Sequence, residues 1–77
     1  MKKRVLILLS NGFEVMEAGC FTEVFGWASI YGDIKFEQLS VGLRSPVKTT
    51  FGFDVLPEKL LTEIKPEDFD ALVIPGG

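Results

Sequence analysis

The stretch Phe69-Asp70-Ala71-Leu72-Val73-Ile74-Pro75-Gly76-Gly77 decides the fold. An unbroken apolar run, Ala71 to Ile74, passes straight into Pro-Gly-Gly. Strands buried on both faces of a parallel sheet read as continuous apolar runs, whereas half-exposed strands alternate. A loop leaving the carboxyl end of such a strand is where open α/β sheets bind their ligands. The sequence thus reads as the N-terminal part of a single larger domain, broken off inside an expected site, with the remainder lying outside residues 1–77.

Working outward, Val5-Leu6-Ile7-Leu8-Leu9 is a second run of the same kind, closed by the turn signal Ser10-Asn11-Gly12. The spacing predicts a helix from about Met16 to Tyr31, with Met16, Cys20, Val24, Trp27, Ala28 and Tyr31 at steps of three or four along one face. Gly32 follows in the position favoured just past a helix. Lys35–Val41 reads as a second strand, which makes a βαβ unit with a right-handed crossover. Two short β segments, Val47–Thr50 and Phe53–Leu56, flank the bend at Phe51-Gly52. Glu58–Ile64 is expected to form a short helix with Leu60, Leu61 and Ile64 inward, ended by Pro66. The pattern is α/β with a mainly parallel sheet.

Bulk properties narrow the function. A chain of 77 residues is at most one small domain. Its 47% hydrophobic content, with seven Phe, one Trp and one Tyr, is rich for so short a chain and fits apolar surface completed by further protein. The net charge is −3, and no basic patch exists beyond Lys2-Lys3-Arg4, so a nucleic-acid partner has no electrostatic footprint. The five-residue apolar run after that basic start is too short for a signal peptide or membrane span. A single Cys excludes an internal disulfide, and a reducing cytoplasm is the default location. With no His and one Cys, no metal site is expected. Neither GxGxxG nor GxxxxGK[ST] is present, and Glu14 and Glu17 would repel a phosphate, so no nucleotide or flavin cofactor is expected.

Candidate chemistry gathers at one end of the sheet. If the first strand and the final strand are neighbours at a topological switch point, the loop Ser10–Glu14 with Glu17 faces Pro75-Gly76-Gly77. Asn11, Gly12 and Glu14 are then candidate substrate-binding residues. The helix dipole alone accounts for an acidic residue at position 14. At Glu17, between Met16 and Ala18, a partly desolvated carboxylate could donate or exchange a proton. Gly76 and Gly77 read either as an ordinary turn or as an oxyanion site, where the lack of Cβ atoms lets backbone N–H groups approach a substrate. Cys20 lies on the apolar stripe and reads as a core residue, and Phe21, Phe25, Trp27 and Tyr31 as core or subunit interface.

These residues carry a resemblance. Val5 to Ala18, with the string Asn11-Gly12-Phe13-Glu14-Val15-Met16-Glu17, resembles the opening of the ThiJ/PfpI family, whose members often show Asp-Gly-Phe-Glu-x-x-Glu there; Asn11 replaces the Asp. Thr22-Glu23-Val24-Phe25 is similar to a helix segment of that family, and Asp68 to Gly77 resembles its Tyr-Asp-x-hydrophobic-Pro-Gly-Gly segment. This superfamily, of class I glutamine amidotransferase-like type, includes the parkinsonism-associated deglycase and the PfpI proteases. The resemblance implies a flavodoxin-like three-layer sandwich of roughly twice this length, usually a homodimer. It implies a nucleophilic Cys at a strand-to-helix elbow beyond Gly77, which Cys20 does not match. It implies Glu17 as the active-site glutamate, Gly76 and Gly77 as the oxyanion site, and a small carbonyl or acyl substrate processed as by a glyoxalase, deglycase, amidase or protease. The same resemblance leaves a ligand-sensing domain of a transcriptional regulator, suited by Thr22 to Ala28, or a stress-response chaperone as the non-catalytic alternatives.

Overall fold

The computed structural model describes all residues from Met1 to Gly77. Strand β1 (Lys2–Leu9) leads into helix α1 (Val15–Tyr31), and β2 (Lys35–Gly42) returns parallel to β1. A small antiparallel hairpin follows, β3 (Val47–Lys48) with β4 (Asp54–Val55). Strand β5 (Lys59–Leu60) and a 3-10 turn, Leu61–Glu63, lead to a second 3-10 turn at Pro66–Asp68 and then to β6 (Ala71–Val73). The main sheet has four parallel strands in the order β5-β2-β1-β6. Its centre is β1, the most continuous apolar run of the chain, in register with β2 along its whole length from Lys2↔Lys35 to Leu9↔Gly42.

Alternation along β1 sorts the two faces of the sheet. Val5, Ile7 and Leu9 are buried in one cluster with Phe13, Ala18 of α1, Val47 and Val73. Leu6 and Leu8 point to the opposite face, where Leu72, paired with Leu6, stays 56% exposed. The fold is therefore α/β with a parallel central sheet, of the flavodoxin-like type, and these residues supply two of the three layers: the sheet and α1.

Three expectations need correction. First, α1 spans the expected residues but packs on a different face. At about 100° per residue, Ala18, Thr22, Phe25 and Ser29 share one side of the helix. That side is the one turned to the sheet: Phe25 packs at a tilt against Phe36 of β2, ring centres 5.0 Å apart, and Ser29 Oγ donates to Phe25 O and accepts the Phe36 N–H at 2.8 Å. Met16, Cys20, Val24, Trp27 and Tyr31 lie roughly opposite and are exposed, with Trp27 and Tyr31 stacked on each other at 5.8 Å. Cys20 is thus no core residue: it stands about 200° round the helix from buried Ala18. Second, Glu58–Ile64 is not a helix. Lys59 and Leu60 instead extend the sheet beside Val41 and Gly42, and the following 3-10 turn is closed by the Leu60 N–H donating to Glu63 Oε1 at 2.7 Å. Third, the sheet has a fourth strand, β5, beyond the three expected.

At the amino ends of the strands, Arg4 ties three of them together. Its Nε donates to Glu37 Oε1 at 3.0 Å, its guanidinium lies 4.5 Å from the centre of the Phe69 ring, and its backbone N–H donates to Asp70 Oδ2 at 2.8 Å. Lys2 joins the same Glu37 carboxylate at 3.2 Å.

Candidate active site

The carboxyl ends of β1 and β6 lie side by side because the two strands pair directly, with Ile7 opposite Val73. The loops that leave them meet. The first loop is a β-turn closed by the Phe13 N–H donating to Ser10 O at 3.1 Å. Gly12 holds its third position at φ +84°, the left-handed value that a type II turn requires and that glycine adopts without strain. Phe13 then drives its side chain into the core at 3% exposure, and Glu14 begins the helix as its N-cap. Glu14 caps with no side-chain hydrogen bond; its backbone N–H donates to Gly76 O at 2.7 Å.

One turn further on, Glu17 projects toward the other loop, and the Gly76 N–H donates to its Oε1 at 3.0 Å, across 59 residues of sequence. The pair of bonds, Glu14 N–H to Gly76 O and Gly76 N–H to Glu17, holds the two successive peptide units that meet at Gly76. A Cβ on Gly76 would lie 3.0 and 3.3 Å from the two carboxylate oxygens of Glu17. A Cβ on Gly77 would overlap the carbonyl of Gly12. A Cβ on Gly77 therefore has no room against the Gly12 backbone, whereas one on Gly76 fits once the Glu17 carboxylate gives by a few tenths of an ångström.

The structure thus brings Gly12, Glu14, Glu17, Gly76 and Gly77 into one crevice. Glu17 is exposed, so the partial desolvation expected for it is not supplied by these residues. The Gly76 N–H is occupied by Glu17, and the Gly77 N–H has no partner within the 77 residues. Asn11 turns to the hairpin: its Oδ1 accepts the Lys48 N–H at 3.1 Å. An aspartate there could accept the same bond, so Asn11 preserves the oxygen acceptor of the motif it departs from.

Sequence reading missed the hairpin's part in this crevice. The Gly12 N–H donates to Lys48 O at 2.7 Å, the Thr50 N–H to Phe13 O at 3.1 Å, and the Thr50 hydroxyl lies 3.1 Å from both Gly12 O and Phe13 O. Nothing in the spacing of Thr50 relative to Gly12 foretells this, because the contact crosses 38 residues. A separate cavity of about 300 Å³ lies under α1, lined by Ile7, Leu9, Phe13, Ala18 and Gln38 among others, and contains none of the crevice carboxylates or glycines of the Gly-Gly loop. No group of three His, Cys, Asp or Glu side chains converges as a metal site would require.

Comparison with known proteins agrees with this fold. The chain is 37% identical over 79 aligned positions to an uncharacterized protein of Staphylococcus aureus, covering all of this chain and 43% of that protein. Its fold superposes on oxidized DJ-1 of Toxoplasma gondii with a TM-score of 0.79, at 23% identity and covering 97% of this chain and 39% of that one. It superposes on the VC2308 protein with a TM-score of 0.75, at 30% identity and covering 100% and 37% of the two chains. The chain therefore spans less than half the length of the proteins it matches. The DJ-1/PfpI family model matches residues 3–77, nearly the whole length, and the chain belongs to the DJ-1/PfpI family.

Proposed function

We propose that these residues are the N-terminal part of a thiol-dependent enzyme that acts on a small carbonyl or acyl substrate. The observation that carries this reading is the Gly76 N–H held by the Glu17 carboxylate at 3.0 Å, beside a second loop glycine whose N–H is unpaired. In this reading the nucleophile is a cysteine on an elbow beyond Gly77, supplied by the rest of the domain. Its thiolate attacks the substrate carbonyl carbon, and the carbonyl oxygen takes up the electron pair as an oxyanion. Gly77 offers a backbone N–H to that oxygen, while Gly76 anchors the glutamate. Glu17 accepts the thiol proton and returns it to the oxyanion or to the leaving group. Glyoxalase or deglycase chemistry on reactive aldehydes and hydrolysis of amides or peptides share these steps, and the fold does not choose among them.

We place the intact protein in the cytoplasm as a homodimer. No helix is long and apolar enough to cross a membrane. The exposed stripe of Met16, Val24, Trp27 and Tyr31 on α1 is the kind of contiguous apolar surface that a second copy covers.

Limited alkylation tests the proposal. The intact protein is treated with iodoacetamide at low stoichiometry, and the modified peptide is mapped against loss of turnover of methylglyoxal and of a model amide. Loss of activity that tracks modification of one cysteine outside residues 1–77 is the expected result. Loss that tracks Cys20, or turnover that survives modification of every cysteine, contradicts the proposal.

A further inference from the structure

The hairpin that packs against the crevice contributes no carboxylate and no glycine to it, yet it holds the loop on which the crevice is built. Of the peptide groups of the first loop, Gly12 N–H, Gly12 C=O and Phe13 C=O are all satisfied by residues 48–50 rather than by the helix or the sheet. Gly12 C=O is also the group against which Gly77 rests, since a Cβ on Gly77 would lie 2.8 Å from the Gly12 carbonyl carbon. Thr50 is therefore one contact away from Gly77, and through Phe13 and Glu14 it is joined to Gly76, whose N–H Glu17 holds.

We infer that Thr50 is a positioning residue: its N–H and hydroxyl fix the carbonyls of Phe13 and Gly12 and so set the seat of the Gly76-Gly77 loop against Glu17. Three features support this over a role in hairpin stability. The hairpin's own bend is closed by its neighbour, Thr49, whose buried hydroxyl donates to Phe53 O at 2.7 Å and accepts the Gly52 N–H at 3.3 Å. Thr50 makes no hydrogen bond within the hairpin; its recorded bonds go to Gly12 and Phe13. Finally, the Gly12 carbonyl, which leaves the turn at φ +84°, finds its side-chain partner in the Thr50 hydroxyl. A hydroxyl has one proton, so the two carbonyls at 3.1 Å share it, and both are held at once only with Thr50 in place.

The inference rests on the proposed roles of Glu17 and Gly77, and its test separates the two. In the intact protein, Thr50→Val keeps the shape and the N–H but loses the hydroxyl, and Thr50→Ser keeps the hydroxyl. Thr50→Ala supplies a hydroxyl-free variant if valine does not fold. The backbone amide resonances of Gly12, Gly76 and Gly77 are compared with kcat and KM for methylglyoxal. The expected result is displaced Gly76 and Gly77 resonances and a kcat lowered about tenfold with KM within twofold in the hydroxyl-free variant, and values close to wild type in Thr50→Ser. Unmoved glycine resonances in the hydroxyl-free variant, or equal losses in Thr50→Ser, would overturn the positioning role. If the resonances move as expected but Glu17→Gln leaves turnover intact, the positioning stands and the catalytic reading of the crevice is what fails.

Discussion

Replacing Gly77 by alanine should damage this protein more than the same change at Gly76, although the two are adjacent and both exposed. The difference lies in what each added methyl meets. At Gly77 the nearest atoms are backbone: the Gly12 carbonyl, with its carbon at 2.8 Å, and Phe13 Cα at 3.1 Å. An ordinary carbon–carbon contact is about 3.5 Å, so the Gly12 loop and the Gly77 loop must part by at least ~0.7 Å. Neither can give easily, because Gly12 is bonded to Lys48 and Thr50 and Phe13 is buried. A misplacement approaching 1 Å at a reacting centre costs on the order of 10²-fold in rate, about 2.7 kcal/mol of barrier. At Gly76 the neighbours are the carboxylate oxygens of Glu17 at 3.0 and 3.3 Å, the far end of a flexible side chain that moves a few tenths of an ångström. Gly76→Ala should therefore cost less than tenfold in kcat and leave the melting temperature nearly unchanged. The assay is kcat/KM for methylglyoxal, with thermal unfolding, on both variants of the intact protein. A Gly77→Ala variant that is as active and as stable as Gly76→Ala would refute the close-approach argument.

Other parts of the structure make separate predictions. Ser29→Ala leaves the Phe36 N–H without its side-chain acceptor and removes one link between α1 and β2; it should cost about 1–2 kcal/mol in denaturant unfolding. The hydrogen bond and charge of Lys2, and then those of Arg4, hold the Glu37 carboxyl below its ordinary value. Ionised Glu37 is thus favoured by folding, so its contribution is present above the usual glutamate range and is lost as pH falls through the lowered native value; Glu37→Gln should flatten that part of the acid-unfolding curve. Val24→Asp, on the outward stripe of α1, should halve the mass of the intact protein measured by light scattering while leaving its circular dichroism unchanged.

Much of the fold could be read from residue order because buried parallel strands announce themselves. Val5–Leu9 and Ala71–Ile74 are apolar at every position, and β1 and β6 pair as a switch-point sheet requires. That pairing brings the loop after β1 and the start of α1 alongside the Gly-Gly loop, where Glu17 meets the Gly76 N–H. The orientation of α1 was not legible, because the helix carries apolar residues on all sides and periodicity cannot say which side meets the sheet. The side that meets the sheet carries small Ala18 and Ser29 beside Phe25, while Met16, Val24 and Trp27 face outward. Leu60, Leu61 and Ile64 mimic a helical period, but the window between Pro57 and Pro66 is too short to repay a helical nucleus, and edge pairing with β2 satisfies Lys59 and Leu60 instead. The grip of Thr50 on the Gly12 turn is purely tertiary and leaves no trace in local sequence.

The central claim is that Glu17 carries protons for a reaction centred on the crevice. Steady-state kinetics of Glu17→Gln in the intact protein test it most directly. Glutamine keeps an oxygen that accepts the Gly76 N–H but cannot take up a proton, so the loops should stay in place and the melting temperature should hold. The account predicts a kcat lowered by about 10²- to 10⁴-fold on methylglyoxal or on the amide substrate. A Glu17→Gln enzyme that turns over at the wild-type rate would contradict it.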